Sequence, residues 1–447
     1  MPLWGFCIYA SIAKLTFMSP DSICVLWNKD FINTSQSDYY DVVFLGDSTI
    51  NTAIMPELLS DSTINLSMIG TTAVDNYYTL ETYLDNNKAP KDVFIGFMDY
   101  HIESPDFLWS VSGQANRFSW KQYMEIYKVV KMFNINSAEG LSLDHYWQDV
   151  FAYKVGFPNK YVSSVLASLG NGRYKTNKES YDNISHHLGR FCIMTNDEYV
   201  SEGGLAYTDY KVDDVQDYYF KRIIELCEKN DIRLHFIKMP LPNDMYYTDD
   251  YIDQVNGYYD SLLAGHENVE FVWYSADYPT TLFRDIYHMN QHGSLVFSDA
   301  LKDKYADIFS YDAYGEDRVE ALNEDIKLEN NISYLFKWIA GKKYSVLIYD
   351  GIGYIGALNF EGSNLQGTNV PALYWASFDN GDNPFITASD ENAINVVTTG
   401  DEAFNIEPEG KMVIVIYDGY QGKIVRKCSL GIDPETGGFS TLEELQQ

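Results

Sequence analysis

The sequence predicts an α/β protein built on a doubly wound parallel sheet, with a β-rich module at the C-terminal end. In the first two thirds of the chain, continuous apolar runs alternate with amphipathic stretches, which is typical of parallel strands covered by helices on both faces. The last third instead contains apolar runs that end in Tyr-Asp-Gly. With 447 residues, the chain is long enough for two or three domains.

The strands expected in the first domain are short runs rich in Val, Ile and Phe, at residues 41–46, 92–97, 232–240 and 269–274. Amphipathic helices are predicted between them, at residues 71–85, 213–229 and 250–263. In a sheet of this kind, reactive groups gather at the carboxyl ends of the strands. Ser48, which directly follows the first strand in "VVFLGDSTIN", is therefore expected at that edge.

Changes of composition predict where the domains begin and end. Residues 1–28 form a hydrophobic N-terminal segment, with two alternatives: a truncated signal anchor or a packed N-terminal helix. Residues 40–310 are expected to form the α/β domain, with an aromatic insertion at about 102–212. A linker or solvated helix is predicted at 311–330, because this stretch is acidic and polar.

The remaining sequence predicts a separate β-rich accessory module at 331–435 and a polar tail at 436–447. Two copies of "IYDG" end apolar runs in the module, and Asp-Gly is typical of hairpin turns. No cluster of titratable residues in the module suggests catalysis, so a binding or packing role is expected.

Charge and cysteine content exclude several classes of function. The 64 acidic and 32 basic residues give a formal charge of −32, which would repel nucleic acid. The five cysteines are scattered and form no CxxC pair, so neither a zinc ribbon nor a disulfide framework is indicated. No cofactor or metal is expected.

A serine becomes a nucleophile when a base takes its proton and a third group orients that base. Asp285 precedes His288 by three residues in "FRDIYHMNQHGSLVFSDAL", a spacing that lets both side chains face the same side of a turn. Ser48, His288 and Asp285 are therefore candidates for a catalytic triad.

Two alternatives compete with this interpretation. Asp47 and Ser48 could simply cap the next helix, as Asp and Ser often do at the end of a strand. His288 and His292, four residues apart, could bind a metal on one helical face together with Asp285. However, Met289 stands where a metalloprotease motif has its general-base Glu, and Asn290 and Gly293 favour a turn.

The order Gly46-Asp47-Ser48 after the first strand, followed much later by Asp285-x-x-His288, resembles the SGNH (GDSL-like) hydrolase superfamily. The resemblance implies a flavodoxin-like three-layer fold, with Ser48 as nucleophile and Asp285 and His288 completing the triad. It also implies that the backbone N–H groups of Ser48 and Gly70 form an oxyanion hole.

The third block of the family, normally Gly-x-Asn-Asp, is occupied by "IGFMDYH", and Met98 stands at the position of the Asn. Loss of one oxyanion-hole donor can cost roughly 2.7–4 kcal/mol of transition-state stabilisation. Asn65, near Gly70 in the sequence, is a candidate substitute. His101, His186 and His187 lie outside the framework and are expected at the surface or in the insertion.

Within the superfamily, the chain looks most like the branch of alginate-type O-acetyltransferases and teichoic acid D-alanyl transfer proteins. The phrases that carry this likeness are "DVVFLGDSTIN", "MPELL" and "YHMNQHGSLVFSDAL". The likeness implies a cell-surface or extracellular protein, anchored through its N-terminus, that acylates a polysaccharide or cell-wall glycan with a membrane-bound O-acyltransferase partner. The alternatives are a carbohydrate esterase and a non-catalytic glycan-binding surface protein that keeps the fold.

Overall fold

The structure is a computed structural model of the full chain. It describes residues 5, 9, 13–36, 39–104, 106, 108–137, 140–154, 172–191, 197–201, 203–274, 277–309, 316–339, 344–355, 366–367, 373–377, 385–390, 393–398, 403–406 and 410–445. The chain divides into two compact units, Met1–Ser310 and Tyr311–Gln447.

The first unit contains a sheet of five parallel strands in the order β2-β1-β3-β5-β7. Its strands are β1 (Val42–Gly46), β2 (Thr63–Asn65), β3 (Asp92–Gly96), β5 (Arg233–Lys238) and β7 (Val269–Trp273). A second, two-stranded parallel sheet joins β4 (Ala206–Tyr207) to β6 (Tyr246–Tyr247). The α/β class with a parallel sheet is confirmed.

Helices surround the main sheet. They are α1 (Lys14–Phe17), α2 (Ile23–Ile32), α3 (Ser48–Ala53), α4 (Pro56–Leu59), α5 (Ala73–Asn86), α6 (Asp99–Ile102), α7 (Trp120–Phe133), α8 (Tyr146–Lys154), α9 (Arg173–His186), α10 (Asp214–Lys229), α11 (Asp249–Leu263) and α12 (Gln291–Lys304). The described residues of the unit also form short 3-10 turns at Pro20–Ser22 and Thr280–Leu282 and a π-helical turn at Trp109–Gly113.

The central strands form because their apolar residues are buried whichever face they point to. Every residue of β1 and of β3 is buried, and the two strands pair in register from Val42 and Asp92 to Gly46 and Gly96. This explains why unbroken apolar runs, rather than alternating ones, predicted them. Strand β2 was not predicted because it has only three residues, Thr-Ile-Asn.

The described part of the N-terminal segment is packed into the first unit. Ile23, Cys24 and Val25 of α2 are at most 2% exposed. The Asn28 side chain donates a hydrogen bond to the carbonyl oxygen of Leu66, at 2.7 Å. Residues 18–28 therefore follow the packed-helix alternative. Among the described residues, no helix has the length and apolar character needed to cross a membrane.

The described part of the insertion at 102–212 shares the core of the first unit. Trp109, Tyr123 and Tyr146 are buried, and the Trp109 ring stacks on Tyr123 and meets Tyr146 edge-on. The end of the insertion passes beside α3, where the Phe191 N–H donates to the Asn51 side-chain oxygen at 3.0 Å. The aromatic clusters of this stretch are therefore partly core, although Trp120, Trp147 and Phe151 are exposed.

The second unit has a sheet of six antiparallel strands in the order β16-β15-β14-β8-β10-β9 and another of three, β11-β12-β13. The strands are β8 (Tyr344–Asp350), β9 (Gln366–Gly367), β10 (Leu373–Ser377), β11 (Phe385–Asp390), β12 (Ala393–Thr398), β13 (Ala403–Ile406), β14 (Met412–Asp418), β15 (Lys423–Leu430) and β16 (Glu443–Glu444). Its helices are α13 (Glu316–Leu328) and α14 (Ile332–Ile339).

Two boundaries of this unit differ from the sequence prediction. The segment 311–330, expected to be a linker or solvated helix, contains α13, whose Leu322 and Ile326 are buried. Arg426 donates to the Ile326 carbonyl at 2.8 Å, so α13 is packed against β15. The segment 436–447, expected to be a polar tail, contributes β16, which pairs with β15.

Candidate active site

Strand β1 ends in a sharp turn at Gly46 and Asp47, after which Ser48 begins α3. Gly46 has a φ of +133°, and a Cβ atom there would lie 2.1 Å from the carbonyl oxygen of Gly96 on β3. Only glycine fits such a close approach. The Asn76 side chain accepts the Gly46 N–H at 2.8 Å and fixes the turn. Ser48 is thereby held at the carboxyl end of β1.

The three residues that the sequence singled out lie side by side. Ser48 Oγ is 2.8 Å from His288 Nε2, although 240 residues separate them. His288 Nδ1 is 2.9 Å from each carboxylate oxygen of Asp285. Ser48 is 5% exposed and the His288 side chain 22% exposed, so the pair is sheltered but open to solvent. An imidazole between a hydroxyl and a carboxylate can take the hydroxyl proton.

Asp285 and His288 lie on a short loop closed by an antiparallel bridge between Phe283 and Met289. Asp285 Oδ1 accepts the N–H groups of Tyr287 and His288, both at 2.9 Å. Burial raises the pKa of Asp285, but the hydrogen bond and charge of His288 and the two N–H groups outweigh it. The pKa of this carboxyl therefore lies below its ordinary value. The carboxylate stays ionised and fixes the orientation of the imidazole.

A second carboxylate, that of the buried Asp47, stabilises the turn through hydrogen bonds. Its Oδ1 accepts the Thr49 N–H at 2.8 Å and the Thr49 hydroxyl at 2.6 Å. Its Oδ2 accepts the Met98 N–H at 2.8 Å and His101 Nδ1 at 2.7 Å. Burial raises the pKa of Asp47, but His101 and the other donors outweigh it and lower the pKa. Asp47 thus ties the start of α3 to the segment that follows β3.

Two of the three histidines expected at the surface or in the insertion are buried. His101 is 6% exposed and bound to Asp47, and His187 is fully buried with Nδ1 3.1 Å from Glu57 Oε1. His186 is partly buried. The sequence did carry a signal that His101 lies near Ser48. His101 closely follows β3, and β3 ends at the same sheet edge as β1.

The three proposed oxyanion donors, Ser48, Gly70 and Asn65, have different surroundings in the structure. The Ser48 N–H is at the first position of α3, where a helix offers no acceptor of its own. Gly70, with a φ of +65°, lies in the turn that follows β2. Asn65 is fully buried, and its Nδ2 lies 3.4–3.5 Å from the carbonyl oxygens of Ile50, Asn51 and Ile54. Its amide faces the end of α3, which does not favour the role suggested for it.

The side chain of Met98 offers no polar donor at the position where the resemblance implies an Asn. Its N–H is used by Asp47, and its side chain lines a narrow cavity together with Thr49 and Tyr287. Each of these two residues is next in sequence to a member of the Ser48–His288 pair. The cavity is therefore close to the Ser48 hydroxyl.

The same cavity contains a buried charge pair. Lys238 Nζ and the Tyr251 hydroxyl each contact one carboxylate oxygen of Asp99. The Lys238 ammonium also lies 5.9 Å from the ring centre of Tyr247. Because the lysine is paired and enclosed by aromatic rings, it adds little net charge to the cavity.

The geometry disfavours the metal alternative at this site. His288 precedes α12, and His292 is the second residue of that helix. Asn290 caps the helix by accepting the Gly293 N–H at 3.0 Å. His288 and His292 therefore do not share a helical face, and both ring nitrogens of His288 already contact Ser48 and Asp285.

Comparison with protein-family models gives no match for this chain, and comparison with curated protein sequences gives none either. The function is therefore argued from the geometry of Ser48, His288 and Asp285.

Proposed function

We propose that the first unit is a serine-dependent acyl-transfer enzyme with Ser48 as nucleophile, His288 as general base and Asp285 as the group that orients it. The observation that carries the proposal is the 2.8 Å contact between Ser48 Oγ and His288 Nε2, with Asp285 2.9 Å from the other ring nitrogen. A capping role for Ser48 requires neither contact.

The reaction proceeds in two steps. Ser48 Oγ attacks the acyl carbonyl carbon while His288 Nε2 takes the hydroxyl proton, and the Ser48 and Gly70 N–H groups receive the oxyanion. The bond to the leaving group breaks, and His288 returns the proton to that group. The acyl-Ser48 is then attacked by a sugar hydroxyl, or by water in an esterase, through the same base.

We assign the unit to the SGNH hydrolase superfamily and its fold to the flavodoxin-like, doubly wound class. The strand order 2-1-3-4-5 of the main sheet supports this assignment, since it is the flavodoxin-like order. The position of Ser48 after the central strand β1 also agrees with it. Acetyl transfer to an extracellular glycan at the cell surface, with a membrane-bound O-acyltransferase as partner, is the physiological setting we propose.

Met98 favours a second candidate, a non-catalytic glycan-binding protein that keeps the fold. Among the described residues, neither the thioether of Met98 nor the amide of Asn65 presents a side-chain donor to the oxyanion, so stabilisation depends on backbone N–H groups alone. Such a site would either turn over slowly or not react.

A fluorophosphonate probe separates the two candidates because it reacts with an activated serine. Wild-type protein should be labelled, Ser48→Ala should not, and Ser201→Ala, at an exposed serine, should be labelled like the wild type. Absence of labelling in the wild-type protein would favour the non-catalytic candidate. Transfer of acetate from an aryl ester to an oligosaccharide, compared with its release into water, then distinguishes transferase from esterase.

A further inference from the structure

Three cations line one cavity of the first unit, away from the residues of the candidate active site. The cavity has a volume of about 450 Å³ and includes Lys29 of α2, Arg117 before α7 and Lys154 at the end of α8. Asp85 is the one carboxylate among the described lining residues. In a chain with a formal charge of −32, this excess of positive charge is unusual.

The two lysines converge on the same residue. Lys29 Nζ donates to the Asn116 carbonyl oxygen at 2.6 Å. Lys154 Nζ donates to the Asn116 side-chain oxygen at 3.0 Å and to the Phe118 carbonyl at 2.6 Å. Within the described part of the chain, neither ammonium group forms an ion pair with a carboxylate. Both charges are held by neutral oxygens.

The guanidinium of Arg117 donates to neutral groups, although the buried carboxylate of Asp75 is near enough for its charge to act on Arg117. It is 9% exposed, and its guanidinium donates to the Asn28 side chain at 2.9 Å and to the Thr79 hydroxyl at 2.5 Å. A third contact, at 3.3 Å, goes to the backbone carbonyl of Asp75. Arg117 Nε is buried with no hydrogen-bond partner among the described residues. The side chain is thus fixed in place at the wall of the cavity.

The positive charges repel one another, which raises the free-energy cost of holding each of them at the cavity. Burial, followed by repulsion from Lys14 and Lys154, lowers the pKa of Lys29 to about 8, against a weaker opposing effect of Asp30. Burial also lowers the pKa of Lys154. An enclosed cation is costly unless an anion balances it. A bound anion would remove this cost.

A helix end adds to the positive potential. Ser119, which lines the cavity, caps the 14-residue helix α7, and its side chain accepts the Gln122 N–H at 3.2 Å. The first N–H groups of a helix lack intrahelical acceptors and carry the positive end of its dipole. The lining also includes Asn33 and Asn86, whose N–H₂ groups donate to backbone carbonyls and whose side-chain oxygens can accept from a hydroxyl group.

We propose that this cavity binds the phosphate group of a small polar molecule, with Lys29, Lys154 and Arg117 as its cationic partners. A phosphate group alone is much smaller than the cavity, whose size is typical of sites for small molecules. Two ammonium groups and a guanidinium suit the charge and the several acceptor oxygens of a phosphate.

Titration calorimetry at pH 7 tests the proposal with two probes, inorganic phosphate and a hexose 6-phosphate, against sodium chloride of equal ionic strength. We expect one site per chain and tighter binding of the hexose phosphate. Lys29→Met and Lys154→Met should each weaken binding at least tenfold. Lys128→Met, which removes an exposed charge on α7 outside the cavity, should stay within twofold of the wild type.

The folding of the variants is checked by their Tm without ligand. Since neither lysine has a carboxylate partner, Lys29→Met should retain or raise the Tm. Absence of binding by both probes would overturn the proposal, and so would unchanged affinity in both lysine variants. Equal affinity for the two probes would support a phosphate site but would overturn the proposal that the phosphate belongs to a larger molecule.

Discussion

Asp47 Oδ2 and His101 Nδ1 are hydrogen bonded at 2.7 Å, and both side chains are buried. Asp47 directly precedes Ser48, and His101 lies five residues after the end of the neighbouring strand β3. The carboxylate also holds the N–H groups of Thr49 and Met98. One buried residue therefore fixes the start of α3 and the segment after β3 relative to each other. Four predictions concern this turn and the residues that it positions.

Replacing Asp47 should destabilise the protein in a pH-dependent way. Asp47→Asn puts an N–H₂ group where Oδ2 or Oδ1 now accepts hydrogen bonds, so donors are left unpaired in the core. We expect the free energy of unfolding at pH 7 to fall by roughly 2–4 kcal/mol. Because the folded pKa is lowered, Asp47 stabilises the protein above its unfolded pKa of about 3.9. This contribution is lost as the pH falls through the folded value.

Urea denaturation between pH 7 and pH 3 measures this effect. The difference in free energy of unfolding between wild type and Asp47→Asn should shrink on acidification. Asp61→Asn, at an exposed carboxylate, should differ little from wild type at any pH. A difference for Asp47→Asn that stays constant down to pH 3 would contradict the assignment of a lowered pKa.

Removal of His288 and of Asp285 should have non-additive effects on activity. In the proposed mechanism Asp285 acts only by orienting His288, so its carboxylate would have no function once the imidazole is absent. We expect His288→Ala to lower kcat for an aryl acetate by about 10⁶-fold. The double variant with Asp285→Asn should be no slower than His288→Ala alone.

His292→Gln is the matched control for this prediction, because the metal alternative assigns His292 a role and the triad does not. Its kcat should stay close to that of the wild type, and a chelator should have no effect. Loss of activity in His292→Gln together with inhibition by a chelator would favour a metal site.

Met98→Asn should raise activity if the chain lacks one side-chain oxyanion donor. The side chain of residue 98 lines the cavity beside Thr49, and an amide there can donate to the oxyanion. An added donor can stabilise the transition state, so we expect kcat to rise by about 10-fold or more with little change in KM. Met98→Leu, which adds no donor, should leave kcat near the wild-type value.

Gly46→Ala should destabilise the turn more than an ordinary glycine replacement. A Cβ atom would lie 2.1 Å from the Gly96 carbonyl oxygen, in addition to the strain at φ of +133°. We expect a loss of more than about 3 kcal/mol in the free energy of unfolding. Gly203→Ala provides the control, since Gly203 has a φ of +115° but no atom within 4 Å of the added Cβ. Similar losses of unfolding free energy in both variants would show that the close approach of Gly46 to Gly96 adds no strain.

The sequence by itself determined the α/β class, because the apolar runs of β1 and β3 are buried on both faces and leave an unbroken pattern. It also identified Ser48, Asp285 and His288 as a set, since their residue types and the place of Ser48 after a strand are local features. In the same way, the short stretch from Gly46 to Ser48 indicated a special turn.

The tertiary structure decided what depends on contacts between distant residues. Asp47 and His101 are 54 residues apart and meet only because β1 and β3 are neighbours that end at one edge. The convergence of Lys29 and Lys154 on Asn116 likewise arises from packing between separate helices. The sequence of α13 is acidic and contains few apolar residues, so it fits a solvated helix as well as one that buries a single side. Only contacts with distant residues decide between them, and they bury Leu322 and Ile326.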